Sequence, residues 1–258
     1  MNFSLIGFPG SRYTKEMLEY LAEQGLKPSY VILENNDPAR LADTDYFISS
    51  GTMPPPPYTE QLEGQGAGRV CIKHQIPVYW VDSQNSQAVS RILFLQRVDI
   101  LLLTDGPVIR GEVLSLPRYC ALNIHAAPLP MFRGNWTTWL ALYNDYPARV
   151  SAHAAVSQVD AGAIIATLDY DIARGDTLED VNAKAWKACK QLACSVLRNI
   201  AQNSFIVRRQ WGWQGTTYKG QVQDGVLCGP AMPEGLQEEL AERMAHNLYG
   251  FYAHGEKV

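Results

Sequence analysis

The apolar positions of this chain change their period from one short segment to the next. Residues 2–8, NFSLIGF, form an apolar run that stops at Pro9-Gly10. Met17, Leu18, Leu21 and Ala22 then follow a helical spacing that ends at Gly25. SYVILEN (29–35) reads as a buried strand, so the chain opens β-α-β, the start of a parallel sheet with crossover helices. Residues 36–68, with MPPPPYTE and EGQGAG, break the rhythm and read as a long loop or a partly ordered insertion. Order resumes with a helix end and a strand near 77–81. A helix in SQAVSRILFLQRV follows, with Val89, Ile92, Leu93 and Leu95 on its apolar side.

DILLLTD (99–105) is a continuous apolar run of the kind buried on both faces of a sheet, and ALNIH (121–125) is a shorter one. WTTWLALYN (136–144) is expected to be helical, and RVSAHAAV (149–156) and GAIIATLDYDI (162–172) to be strands. A long helix is expected over 178–203, capped by Thr177 or Asp176, with Trp186, Cys189, Ala193, Val196 and Ile200 on one stripe. After it the composition changes. FIVRRQWGWQGTTYKGQVQDGVL suggests short strands and 234–250 a final amphipathic helix, which puts a boundary near 204 and divides the chain into 1–203 and 204–258.

Composition narrows the function classes. A net charge of −4 argues against a broad nucleic-acid footprint, which needs a basic face. The five cysteines are scattered and form no zinc spacing, so no metal site is expected and the thiols read as reduced. MNFSLIGFPG is too short an apolar run for a signal peptide or a membrane span. The expectation is a soluble, cytoplasmic protein.

The candidate chemistry begins at NIHAAPLPMFRG (123–134). On a strand, Asn123 and His125 leave on the same face, at the carboxyl end where open α/β sheets bind ligands. Pro128 and Pro130 then forbid further strand or helix. An amide and an imidazole side by side can donate to an oxygen that gains charge as a carbonyl becomes tetrahedral. The imidazole can also exchange protons with an amine. A nearby acid would orient the ring and favour its charged form, and Asp160, in the turn SQVDAG, is the candidate.

These residues carry a resemblance. NIHAAPLPMFRG and VSAHAAVSQVDAGAII are similar to the N-x-H-x-S-L-L-P-x-[YF]-R-G and H-x-V-D-x-G-x-D-x-G-x-I motifs of the folate-dependent formyltransferase family. VDILLLTDGPVIRGEVLSLP resembles the family's upstream strand and folate-contacting loop, and IKHQIPVYWVDSQN its h-x-I-P-V stretch. The resemblance implies a Rossmann-like parallel α/β sheet with crossover helices to about 203, then a small C-terminal β/α appendage suited to homodimer contact.

It further implies transfer of the formyl group of 10-formyltetrahydrofolate to a primary amine. Asn123 and His125 would stabilise the oxyanion, and His125 with Asp160 would manage the amine's proton. Pro107, Val108 and Ile109, together with Ala155, Val156, Ser157 and Val159, would bind the pterin mostly through backbone groups. His153 matches a family histidine on the adjacent strand.

Departures from the pattern bear on the substrate. Ala127 stands in place of the family serine and Pro128 in place of its first leucine, and SQ at 157–158 removes acidic residues expected beside the pterin. H-x-x-P-L-P and TTWLALYN resemble the sugar-amine and peptide-synthetase-associated members. A tRNA substrate is not expected, because 55 residues follow position 203 and the last 25 carry five glutamates against Arg243 and Lys257. Glycinamide ribonucleotide enzymes usually read F-P-G where this chain has Phe132-Arg133-Gly134. A small-molecule amine is the expected partner, an amino acid or peptidyl amine of secondary metabolism ahead of a nucleotide-linked amino sugar. Three rival readings stand beside this one: a dinucleotide oxidoreductase (GFPGSR with Glu34), a folate-fold binding protein without chemistry, and a formyl-folate hydrolase.

Overall fold

The apolar runs of the first half become parallel strands. In the computed structural model, residues 1–34, 66–211, 216–218, 221–223, 226–228 and 235–251 are described. Strand β1 (Phe3–Gly7), helix α1 (Arg12–Glu23), β2 (Tyr30–Glu34), α2 (Gly66–His74), β3 (Val78–Val81), α3 (Gln87–Gln96) and β4 (Ile100–Leu103) alternate as the pattern requires. A 3-10 turn (Gly111–Leu114) leads to β5 (Cys120–His125). Then come β6 (Phe132–Gly134), α4 (Thr137–Tyr143), β7 (Arg149–Ala154), β8 (Ile164–Asp169) and the long α5 (Leu178–Ala201). Three short strands, β9 (Thr216–Tyr218), β10 (Gln221–Gln223) and β11 (Val226–Cys228), precede α6 (Leu236–Ala245).

The main sheet has seven strands in the order β3-β2-β1-β4-β5-β7-β8. Its β1–β5 pairings are parallel, whereas β7 and β8 pair antiparallel, so the sheet is mixed at one edge. By its contacts the chain forms two compact units, Met1–Asn123 with Ala155–Ser157, and Ile124–Ala154 with Gln158–Val258. That division does not fall at the change of composition near 204. Strand β5 starts in the first unit and ends in the second, between Asn123 and Ile124.

Local chemistry explains the element ends. Ser11 caps α1 by accepting from the Thr14 N–H, and Met17, Leu18, Leu21 and Ala22 are its buried stripe. Thr177, not Asp176, caps α5, in a reciprocal box with Asp180. On that helix Cys189, Ala193, Val196 and Ile200 are buried and Trp186 is half-buried.

Three expectations need correcting. Leu95 is 42% exposed, because on α3 it falls outside the buried arc of Ala88, Val89, Ile92 and Leu93. GAG at 66–68, read as loop, begins α2, with Ala67 and Gly68 packed inward. The segment after Pro130 is not only loop: Phe132–Gly134 forms β6, which pairs in parallel with β9. The polyproline stretch and residues 212–215, within WGWQGTTY, lie outside the described residues. No helix among those described is long and apolar enough to cross a membrane.

Candidate active site

Strand β5 delivers the first two residues. Asn123 is half-buried and sits in register with Leu103 of β4, while His125, two positions on, is 8% exposed. The chain then runs through a loop whose polar groups are satisfied by Ser151 of β7: its hydroxyl accepts from the Leu129 N–H (3.0 Å) and donates to the Ala127 carbonyl (2.8 Å). Ala127, which stands where the family pattern has serine, is fully buried, and the hydroxyl serving this loop comes from the neighbouring strand.

The two nitrogens of His125 face different partners. Nε2 lies 2.8 Å from the Phe132 carbonyl oxygen, which can only accept, so Nε2 carries a proton and donates there. The Thr137 hydroxyl lies 3.1 Å from the same nitrogen. Nδ1 faces Asp160 Oδ2 at 3.5 Å. Asp160 in turn accepts from the Gly134 N–H at Oδ2 (2.8 Å) and lies 3.3 Å from His153 Nε2 at Oδ1. The His153 Nδ1–H donates to the Ala154 carbonyl (3.0 Å), and the two imidazoles stand edge to face, 6.4 Å between centroids.

Burial decides the charge state of the imidazole. It pushes the His125 pKa below its ordinary 6.5; Asp160 pulls the other way, and His153 adds to the lowering. Burial also works against the Asp160 charge, but His125, His153 and the Gly134 N–H outweigh it and hold the carboxyl well below the usual carboxylate range. At neutral pH the pair rests as a carboxylate beside a neutral imidazole. Nδ1, the nitrogen without a proton in that state, faces the carboxylate. Such a pair takes a proton and stabilises it once taken.

In the first unit, two segments expected to meet a pterin share one apolar cluster. Ile109 is buried in it, with Val113 and Ala121, and Ala155 packs against it. The Ala155 N–H donates to the Ala121 carbonyl (2.7 Å). Pro107 and Ser157 are exposed, Val108 is half-buried, and Val156 and Val159 are 44% and 36% exposed.

Ile109 therefore offers a ligand its backbone and not its side chain. Two residues that sequence reasoning passed over shape this loop. Gln84 donates to the Asp105 carbonyl (3.1 Å); Asn85 donates to the Val108 carbonyl (3.1 Å) and accepts from the Arg110 N–H (2.7 Å). Arg133, Gly134 and Thr137 entered that reading only as parts of matched motifs, with no role assigned, and Gln210 was passed over. The adjacent amides of Gln84-Asn85, in a loop after a strand, offered a signal of their own.

Comparison with known proteins decides the family. A model of the family described as formyl transferase matches residues 57–197, more than half of the chain. The chain belongs to the formyl transferase family. A methionyl-tRNA formyltransferase of Rickettsia massiliae (strain Mtu5) is 25% identical over 171 residues, 62% of this chain. The match spans only 56% of that relative's length.

Among solved structures, this member of the family resembles glycinamide ribonucleotide transformylase 1 from Symbiobacterium toebii (TM-score 0.58, 19% identity, 82% of this chain and 95% of that one). It also resembles an N-formyltransferase from Helicobacter canadensis in complex with folinic acid and dTDP-3-aminofucose (TM-score 0.55, 14% identity, 95% and 80%). At these identities the likeness establishes the fold, a Rossmann-like α/β sheet, which the formyl transferase shares.

Proposed function

We propose that this formyl transferase moves the formyl group of 10-formyltetrahydrofolate to a primary amine of a small molecule. The observation that carries the reading is the His125–Asp160 pair: a buried neutral imidazole, one nitrogen tied to a carbonyl and the other facing a carboxylate, two residues beyond Asn123 on one strand. As the amine attacks the formyl carbon, the carbonyl oxygen gains charge and the nitrogen must lose a proton. The Asn123 amide donates to the oxygen, and the positive charge that His125 gains with the amine's proton helps to stabilise it. His125 takes the proton at Nδ1, where Asp160 offsets the new positive charge. The tetrahedral intermediate then collapses: its bond to the folate nitrogen breaks and that nitrogen takes up the proton held by His125, which returns the imidazole to its neutral state. Backbone groups of Pro107, Val108, Ile109, Ala155, Val156, Ser157 and Val159 hold the pterin. Family relatives crystallised with folate derivatives support this donor.

For the acceptor, H-x-x-P-L-P and the helix beginning at Thr137 support an amino acid or peptidyl amine. A nucleotide-linked amino sugar is the second reading. It is supported by likeness to a formyltransferase of Anoxybacillus kamchatkensis in complex with a UDP-linked formamido sugar and tetrahydrofolate, over 90% of this chain at 16% identity and a TM-score of 0.51. The division into 1–203 and 204–258, dimer contact through the latter and a cytoplasmic setting belong to the same proposal.

The dinucleotide reading finds no support around β1. A Cβ on Gly7 would fall 2.3 Å from Thr104 Oγ1 and 2.4 Å from Thr14 Oγ1, so the glycine makes room for a hydroxyl pair. The Glu34 carboxylate accepts from the Gln84 N–H (2.8 Å) instead of standing ready for a ribose.

Thermal melting with a stable formyl-folate analogue, and with NAD and NADP in parallel, tests the donor. A site filled at about 100 times its dissociation constant adds roughly 2.7 kcal/mol of stability. A shift with folate alone supports the proposal and leads to a screen of amines; a shift with NAD, or none, overturns it. Formate release without any amine would favour the hydrolase.

A further inference from the structure

Arg133 is 1% exposed and, among the described residues, heads those that are fully buried by size. A buried guanidinium needs partners, and its partners lie past residue 204. Its Nε donates to Gln210 Oε1 (3.1 Å) and its Nη2 to the Trp211 carbonyl (3.2 Å). Gln210 is itself 8% exposed. With its oxygen committed to Arg133, its amide nitrogen donates twice, to the Asp160 carbonyl (3.0 Å) and to the Gly162 carbonyl (2.7 Å). The reverse amide orientation would set an NH2 against the guanidinium and an oxygen against two carbonyls, so the network admits one arrangement.

The loop held this way is one that needs holding. Asp160 has φ +48°, the left-handed region that a non-glycine residue occupies at a cost. Its carboxylate must stay within reach of His125, His153 and the Gly134 N–H together. A second tie lies alongside: the Ile164 and Arg208 backbones exchange two hydrogen bonds (2.8 and 2.7 Å).

We infer that Gln210 is a positioning residue of the active site: braced by Arg133, it locks the backbone at Asp160 and Gly162 and so fixes the carboxylate against His125. The segment after 204, expected as an appendage, then contributes to the catalytic pair itself. The inference rests on the proposed role of that pair, but its test does not require a substrate.

The test follows the pH titration of His125 by NMR on histidine-labelled full-length protein, with the signal assigned by its loss in His125→Gln. Gln210→Met keeps the volume but makes none of the three side-chain hydrogen bonds, and Gln210→Asn keeps an amide one methylene too short to span Arg133 and the two carbonyls. The groups facing His125 are Asp160, which raises its proton affinity, and His153, which lowers it, while Asp160 also acts on Arg133. If the carboxylate drifts by an ångström or two, His125 loses part of Asp160's support and its midpoint falls by on the order of one pH unit.

That fall, in either variant that still melts cooperatively, is the expected result. Midpoints unchanged in both variants would reduce Gln210 to a packing role, whatever happens to the melting temperature. The formyl-folate analogue is titrated into the same samples. A wild type that ignores the folate while the His125 midpoint still falls in the variants overturns the donor reading and leaves the positioning role standing.

Discussion

Two loops carry the proposed chemistry, and both are held by side-chain amides. The loop at 105–110 is tied by Gln84 and Asn85, whose partners are 21 to 25 residues away in the chain. The loop at 158–162 is tied by Gln210, 48 to 50 residues away. The first presents backbone groups and a buried Ile109, so shape is all it must keep. The second presents a carboxylate whose distance from an imidazole sets a proton affinity, and Coulomb energy changes steeply over the last ångström or two. A loop that offers backbone can be braced locally; a loop that offers a charge is braced from three directions, by Gly134, His153 and Gln210.

The largest effect expected from this contrast is at the reacting centre. Asn123→Ala should lower turnover by about 10²–10³-fold if its amide donates to the oxyanion. A variant within a few-fold of wild type would remove that role. Asp160→Asn should come next, at about 10²-fold, because a neutral amide cannot offset the proton gained by His125. Rates limited only by amine binding, with kcat intact, would place Asp160 outside the proton transfer.

The bracing of the first loop should matter less, and differently. Asn85→Ala removes two hydrogen bonds from a partly exposed loop, each worth about 1 kcal/mol net. The affinity for a formyl-folate analogue should fall by roughly 3- to 30-fold while turnover at saturating folate stays within about twofold. A large kcat loss with unchanged folate affinity would reverse the assignment of the two loops. Gly106 sharpens the point: a Cβ there would lie 2.3 to 2.6 Å from the Gln84 amide, so Gly106→Ala displaces that brace and should follow Asn85→Ala.

Much of this molecule could be read from residue pattern, and the limits have physical reasons. The parallel strands β1 to β4 are short apolar runs bounded by turn residues, a local signal, and Asn123 with His125 follows from strand geometry alone. Asp160 was visible as a turn residue in a recognisable motif, although only folding brings it beside His125. Gln210 left no trace, because a glutamine in an aromatic-rich segment has no periodicity and its role lies in carbonyls 50 residues earlier. Serine replaced by Ala127 read as a lost hydroxyl, whereas Ser151 supplies one from across the sheet, a contact that no spacing encodes. Leu95 was misplaced for a simpler reason: its helix is short, and an offset of two residues, about 200° of rotation, moves a leucine from core to solvent.

The smallest expected effect concerns stability, and it separates the pair's resting charge state from its catalysis. Burial holds His125 below its ordinary 6.5 in the folded chain. Between that value and the folded one, the unfolded chain binds a proton that the folded chain does not, so stability is lost as pH falls through this window. Asp160, held below its ordinary 3.8, adds its own loss only in stronger acid, below that value. His125→Gln should therefore flatten the melting curve against pH below about 6.5, narrowing its gap to wild type at the acid end. His153 is present in both proteins, so the comparison isolates His125. If wild type and variant instead run parallel through that window, His125 is already protonated in the resting enzyme. The amine's proton would then have to leave by another group, and the bracing around Asp160 would serve to hold a permanent ion pair.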